Sequence, residues 1–135
     1  MKSLGVRKTL VVMGSAALAG AFIVGIDDNP PGIALLYGGI LCLTVAAVCR
    51  WQRPKDFLLL LAYSALGFVV FAVLHNLLYG LGTMTDIAVV KGLLEVLHVG
   101  AFLIALLVCP VGVVVGLVGW VAVLIRNRRQ EQLPT

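Results

Sequence analysis

Charged residues are scarce in this sequence: Lys, Arg, Asp and Glu make up 12% of its 135 residues, whereas 61% are hydrophobic. A typical soluble domain contains about 25% charged and about 45–50% apolar residues. A chain with so few charges cannot cover its apolar residues with a polar surface. The composition therefore excludes an ordinary water-soluble domain, and the length allows one domain.

The sequence also lacks the residue sets that most enzymes and nucleic-acid-binding proteins need. It offers no Ser, His and Asp set for a hydrolase and no Gly-rich loop that would hold a phosphate. The formal net charge of +4 comes from Lys and Arg at the ends of apolar runs, without a basic stripe on a soluble face. We expect no nucleic-acid partner, and the sequence favours a non-catalytic protein.

Cysteine is rare as well, with three residues, Cys42, Cys49 and Cys109, all within apolar runs. None of them forms a C-x-x-C pair, so the spacing supports neither a disulfide scaffold nor a zinc site. We expect small side chains that pack in the interior.

What the sequence does contain is four long apolar runs, at about 9–26, 33–49, 57–81 and 99–125. Each run can cross a hydrocarbon layer about 30 Å thick as a helix. Unpaired backbone groups are too costly in lipid for any open irregular span. The predicted fold is all-α: an integral membrane bundle of four transmembrane helices in a single domain, 1–135. The first run resembles a signal peptide, but it continues to Ile26, and we expect a retained helix.

The stretch before the fourth helix, 85–98, is a separate prediction. A single helix from 85 to 125 would be about 60 Å long, twice the hydrocarbon thickness. Lys91, Glu95 and His98 recur on one helical face of this stretch. We therefore predict an amphipathic segment at the outer interface. The path could bend near Pro110.

The positions of the basic residues predict the topology. Nine of the ten Lys and Arg residues lie before the first run, between the second and third runs, or after the fourth. The positive-inside rule then places both termini in the cytoplasm, in the cytoplasmic (inner) membrane. The inner loop, Arg50, Trp51, Arg53 and Lys55, is expected to contact anionic lipid headgroups or a cytosolic partner.

Small residues at four-residue steps predict where helices approach closely, because lipid gives apolar helices no hydrophobic reason to associate. These packing candidates are Ala17, Ala21 and Gly25 in the first helix, Gly38, Cys42 and Ala46 in the second, and Gly112, Gly116 and Gly119 in the fourth. The contacts could be internal, or they could involve a second copy or another membrane protein.

One constellation could carry chemistry: His75, Glu95 and His98. Three such ligands could hold a zinc ion with an open position, and the two histidines could ligate a haem. The plainer alternative is a solvated face on which Lys91 and Glu95 pair, with His75, Asn76 and Tyr79 as polar anchors at headgroup level. On that alternative, which the sequence favours, no cofactor is needed.

Three functional classes remain open on the sequence. It favours an accessory or assembly subunit that acts through helix packing and binds membrane lipids and another membrane protein. The second class is a homo-oligomeric pore or transport protein. The first three helices have no charged residue in their membrane core of the kind that ion-coupled transporters use. The third class is a metal- or haem-bearing membrane protein.

Overall fold

A computed structural model describes residues 2–26 and 29–131. Within these residues the structure is helical and has no strand. The helices are α1 (Lys2–Val24), α2 (Pro30–Val48), α3 (Pro54–Met84), α4 (Ala88–Leu103) and α5 (Cys109–Glu131), and a π-helical turn (Ile104–Val108) joins α4 to α5. Four spans are long and apolar enough to cross a membrane: α1, α2, α3 and the continuous α4–α5. The all-α prediction is confirmed, and the chain is a small multi-pass membrane protein.

The helices extend beyond the apolar runs from which they were predicted. α1 begins at Lys2, seven residues before the run that starts at Thr9, because charged residues outside the membrane are compatible with a helix. α3 begins at Pro54, whose missing N–H needs no partner in a first turn, and Arg53 before it is extended. Hydropathy thus located the part of each helix that lipid can cover.

The helices pack as an open row in the order α1, α2, α5, α3. Within the described residues α1 packs only on α2, α2 also contacts α5, and α5 packs on α3. A buried cluster joins α2, α5 and α3 near one end of the helix axes. It contains Val48, Phe57, Val115 and Val123. We call this end of the axes the basic end, because the inner loop and Arg126 lie there.

Glycine provides the close approach between α1 and α2. A Cβ atom on Gly14 would lie 3.0 Å from the carbonyl oxygen of Gly39, and one on Gly39 would lie 3.0 Å from that of Gly14. Such separations are tighter than ordinary van der Waals contact, so these positions accept only glycine without a shift of the helices. α1 ends at Val24, and Gly25 follows it with a positive φ of 85°, which a residue without a Cβ adopts without strain.

The short connection after α1 contains Asn29, whose side chain bonds back to α1. Asn29 occupies the N-cap position of α2, but its side chain makes no bond to that helix. Instead, its Nδ2 donates to the carbonyl oxygen of Val24 at 2.9 Å. It therefore satisfies a carbonyl at the end of α1. The neighbouring Asp27 and Asp28 lie outside the described residues.

The π-helical turn has a local cause in Pro110. In an α-helix the carbonyl of Leu106 would accept a hydrogen bond from residue 110, but proline has no N–H and its ring clashes with that carbonyl. The turn widens just before the proline, where the N–H of Cys109 donates to Ile104 O, five residues back. The hydroxyl of Tyr37 donates to Leu106 O at 2.9 Å and ties α2 to this turn.

This bond fixes the position of α4 relative to α2 along the helix axes. α2 is about 28 Å long, close to the hydrocarbon thickness, and Tyr37 lies about 10 Å from its first residue. Leu106 lies about 27 Å from the start of α4. Because α2 and α5 run in the same direction, α4 begins about 16 Å beyond α2, and His98 lies near the level of Pro30. Most of the predicted segment, 85–98, lies in α4, which is continuous with the last span, stays packed along α3 and projects past α1 and α2.

α5 packs closely on α3 at three glycines, which are spaced by three or four residues along α5. A Cβ on Gly112 would clash with Ser64, one on Gly119 would clash with Phe57, and one on Gly116 would lie 2.8 Å from the backbone nitrogen of Leu61. At Gly116 the obstacle is backbone, which cannot rotate away as a side chain can.

Gly116→Leu is expected to destabilise the fold by about 1–3 kcal/mol, the range for overpacking a tight interior. The physical reason is that α3 and α5 must separate to admit the side chain. Thermal unfolding in detergent, followed by circular dichroism, measures this loss.

The matched control for that substitution is Gly100→Leu, at a helical position where a Cβ would meet nothing within 4 Å. The helix-propensity gain is the same at both positions. Equal midpoints for the two variants would contradict the close contact between α3 and α5.

Candidate functional site

The polar contacts between α3 and α4 centre on two histidines. Nδ1 of His75 lies 3.0 Å from the backbone carbonyl oxygen of His98, and the His75 side chain is half-buried. A carbonyl oxygen only accepts hydrogen bonds, so Nδ1 carries the hydrogen and donates it. In the neutral ring this leaves the lone pair of His75 on Nε2. A histidine held in this way has a fixed tautomer and a free basic nitrogen.

Aromatic rings surround this contact. The ring centroids of His75 and His98 are 5.2 Å apart with planes tilted by 33°, and the ring of Phe102 lies 5.1 Å from that of His75. Tyr79 approaches His98 from the other side, at 5.7 Å. These separations are typical of favourable aromatic pairs. The four rings form a ring cluster that locks α4 against α3.

Two clefts open along the seam between α3 and α4, one on each side of the ring cluster. The outer cleft, of about 140 Å³, lies toward the α3–α4 connection. Its polar lining is Tyr79, Thr83, Lys91, Glu95 and His98. The inner cleft, of about 220 Å³, has the lining Phe68, Ala72, His75, Asn76, Phe102 and Leu106.

The structure therefore brings His75 and His98 together and places Glu95 beside His98 in the outer cleft. His75 lines the inner cleft and His98 the outer one. Within residues 2–26 and 29–131, no three His, Cys, Asp or Glu side chains are grouped as a metal site would require. A metal or haem at His75, Glu95 and His98 stays a prediction of the sequence.

The packing candidates take different positions. Ala21 and Ala46 are buried, as are Gly112 and Gly116. Those left half-buried are Ala17, Gly25, Gly38, Cys42 and Gly119. A Cβ on Gly38 would meet nothing within 4 Å, because this glycine faces an open groove.

The inner loop lies at the basic end with its side chains outward. Arg50, Arg53 and Lys55 are exposed, and Trp51 is 37% exposed. The indole of Trp51 meets the ring of Phe57 edge to face, with centroids 5.4 Å apart. One aromatic ring of the loop is thus held by α3, while the three charges are free to contact headgroups.

Sequence reasoning missed several residues that position the site. Phe102 was missed, and Tyr79 was expected only as a polar anchor. Phe102 follows His98 by four residues and Tyr79 follows His75 by four, so each lies on the same helical face as its histidine. That spacing could have identified the ring cluster. Tyr37 could have been suspected because Pro110 leaves the carbonyl of Leu106 without its usual donor. Gly14 and Gly39 carried no signal that separated them from other small residues.

No protein-family model, no curated protein and no solved structure matches this chain.

His75→Phe is expected to destabilise the contact between α3 and α4. The phenyl ring keeps the aromatic packing, but the hydrogen bond to His98 O is lost. Hydrogen bonds between transmembrane helices contribute about 0.6 kcal/mol on average and up to about 1.7. Urea or thermal unfolding in detergent measures the difference.

His98→Phe is the control, because its backbone carbonyl still accepts the bond from His75. We expect a smaller loss of stability for this variant. A larger loss for His98→Phe than for His75→Phe would show that the imidazole of His98, not the hydrogen bond, holds the seam.

Proposed function

We propose that this protein is a non-catalytic membrane subunit that binds a helix of another membrane protein in an open groove between α2 and α5. The open row is the observation that carries the proposal. α1 covers one side of α2, α3 covers one side of α5, and the groove between α2 and α5 remains uncovered by the described helices. A partner helix would complete the row into a closed bundle.

The shape of the groove supports a helix as its occupant. Next to the Tyr37–Leu106 bond it has a volume of about 260 Å³ and is lined by Gly38, Leu41, Pro110, Val111 and Val114. It continues toward the basic end as a second cleft of about 300 Å³ that shares Leu41 and Val114. Gly38 leaves room for a partner backbone, which is how helices in lipid gain close contact.

The composition of the core favours an accessory subunit over an enzyme or a transporter. Among the described residues, no polar or charged side chain is buried. The buried side chains are small and aliphatic, apart from Phe57 and Cys109. Such a core provides packing surfaces and no polar path, so contacts on the outer faces are where a function can lie.

Gly38→Phe is expected to fill the groove and release the partner while the fold persists, since the added ring enters open space. Native mass spectrometry after gentle extraction from the membrane checks this. The wild-type chain is expected with the mass of a second protein, and the variant is expected without it.

Gly80→Phe is the matched control, because a Cβ at Gly80 also meets nothing within 4 Å but lies on α3, away from the groove. This variant should keep the partner. A wild-type mass equal to a fixed number of copies of this chain alone would contradict the accessory-subunit proposal and favour a homo-oligomer. A bound metal or haem, lost on His75→Ala, would favour the third class.

We also propose that both termini and the inner loop lie on the cytoplasmic side of the cytoplasmic membrane. The charge distribution supports this orientation. The basic end contains Arg7, Lys8, Arg50, Arg126 and their basic neighbours. The opposite end, with the α3–α4 connection, has one basic residue, Lys91. This asymmetry is the one that sets orientation during insertion.

The orientation predicts which added cysteines react with a membrane-impermeant maleimide in intact cells. In a chain whose three cysteines are replaced by alanine, Asp86→Cys should be labelled and Gln52→Cys should not. After the membrane is permeabilised, both should react. The reverse labelling would show an inverted protein.

A further inference from the structure

The two clefts between α3 and α4 lie in line along one groove, and charged side chains line only its outer cleft. On α3 the lining residues recur every three or four positions, at Ala72, Asn76, Tyr79 and Thr83. The lining of α4 recurs in the same way, at Lys91, Glu95, His98, Phe102 and Leu106. Residues with this spacing share one helical face, so both clefts open on the same side of the seam.

The depth of this groove matches the boundary of a membrane. His98 lies near the level of Pro30, where α2 begins, and α2 alone is about as long as the hydrocarbon layer is thick. The outer cleft then lies at headgroup depth and the inner cleft lies among acyl chains. A ligand that fits both clefts must be amphiphilic and must lie along the membrane normal.

The charges of the outer cleft select the headgroup. Lys91 and Glu95 line the same cleft and carry opposite charges, and Tyr79 lines it with them. A purely anionic headgroup would meet Glu95, and a purely cationic one would meet Lys91. A zwitterion satisfies both, because its phosphate accepts from Lys91 and Tyr79 while its ammonium donates to Glu95.

We propose that this groove binds one phospholipid with an ethanolamine headgroup, from the leaflet opposite the inner loop. A primary ammonium has three N–H donors for the Glu95 carboxylate, whereas the quaternary ammonium of choline has none. The acyl chain lies in the inner cleft, along Ala72, Phe102 and Leu106. The ring cluster forms the wall where the headgroup meets the chain. This site is separate from the groove proposed for a partner helix.

Native mass spectrometry of the full chain in detergent, titrated with phosphatidylethanolamine, phosphatidylcholine or phosphatidylglycerol, tests the proposal. Phosphatidylethanolamine is expected to bind about tenfold more tightly than the other two, the difference that a hydrogen bond to a charged group supplies. Equal binding of the three lipids, or preferred binding of phosphatidylglycerol, would overturn the proposal.

Variants of the two carboxylates locate the site. Glu95→Gln keeps the shape of the side chain but removes the charge, and it should abolish the preference for ethanolamine over choline. Asp56→Asn is the control, because Asp56 is a carboxylate at the basic end, in the first turn of α3. Preference retained in Glu95→Gln, or lost in Asp56→Asn, contradicts a headgroup site in the outer cleft.

Soluble phosphoethanolamine, without acyl chains, separates a lipid from a free phosphate compound. It should raise the unfolding temperature less than the whole lipid does at equal concentration, since the inner cleft stays empty. Equal stabilisation would show that the inner cleft plays no part. None of these outcomes depends on whether a partner helix binds between α2 and α5.

Discussion

The hydrogen bond from Tyr37 to Leu106 sets the relative position of the two halves of this protein. Pro110 has no N–H to donate to the carbonyl of Leu106, and an unpaired carbonyl in lipid is costly. Tyr37 satisfies that carbonyl from α2, so the pairs α1–α2 and α3–α5 are joined at one fixed height. The buried cluster around Val48 and Phe57 adds apolar contact at the basic end. Only the Tyr37 bond specifies how far α4 projects.

Because the helices differ in length, this fixed position leaves parts of α3 and α4 beyond the ends of α1 and α2, and these parts carry polar residues. α1 and α2 are about as long as the hydrocarbon layer is thick, whereas α3 is about 46 Å long and α4–α5 is longer still. The excess of α3 and of α4–α5 appears as two packed helices beyond the level of Pro30. Lys91, Glu95 and Thr83 lie on this projecting pair. Where the same seam enters the membrane, its lining contains His75 and Asn76 but no charged side chain.

The sequence predicted the number of spans and the amphipathic stretch, because apolar length and helical periodicity are properties of single segments. It could not predict which face of a helix packs. Gly38 and Gly39 differ by one position, or about 100° around α2, and only Gly39 meets α1. It also could not show that His75 bonds to the backbone of His98, since that contact depends on the register of α3 against α4.

Glycine contacts also explain why α5 is more buried than α3. Gly112, Gly116 and Gly119 bring α5 against α3 along one stripe, and α2 covers another side of α5. α3 has α4 and α5 on one side and no described helix on the other, so most of its large apolar side chains are exposed. In a membrane, lipid can cover such a face at no hydrophobic cost. On our proposal a partner helix approaches closely at Gly38, where a Cβ would meet nothing within 4 Å and two helices form the sides of a groove.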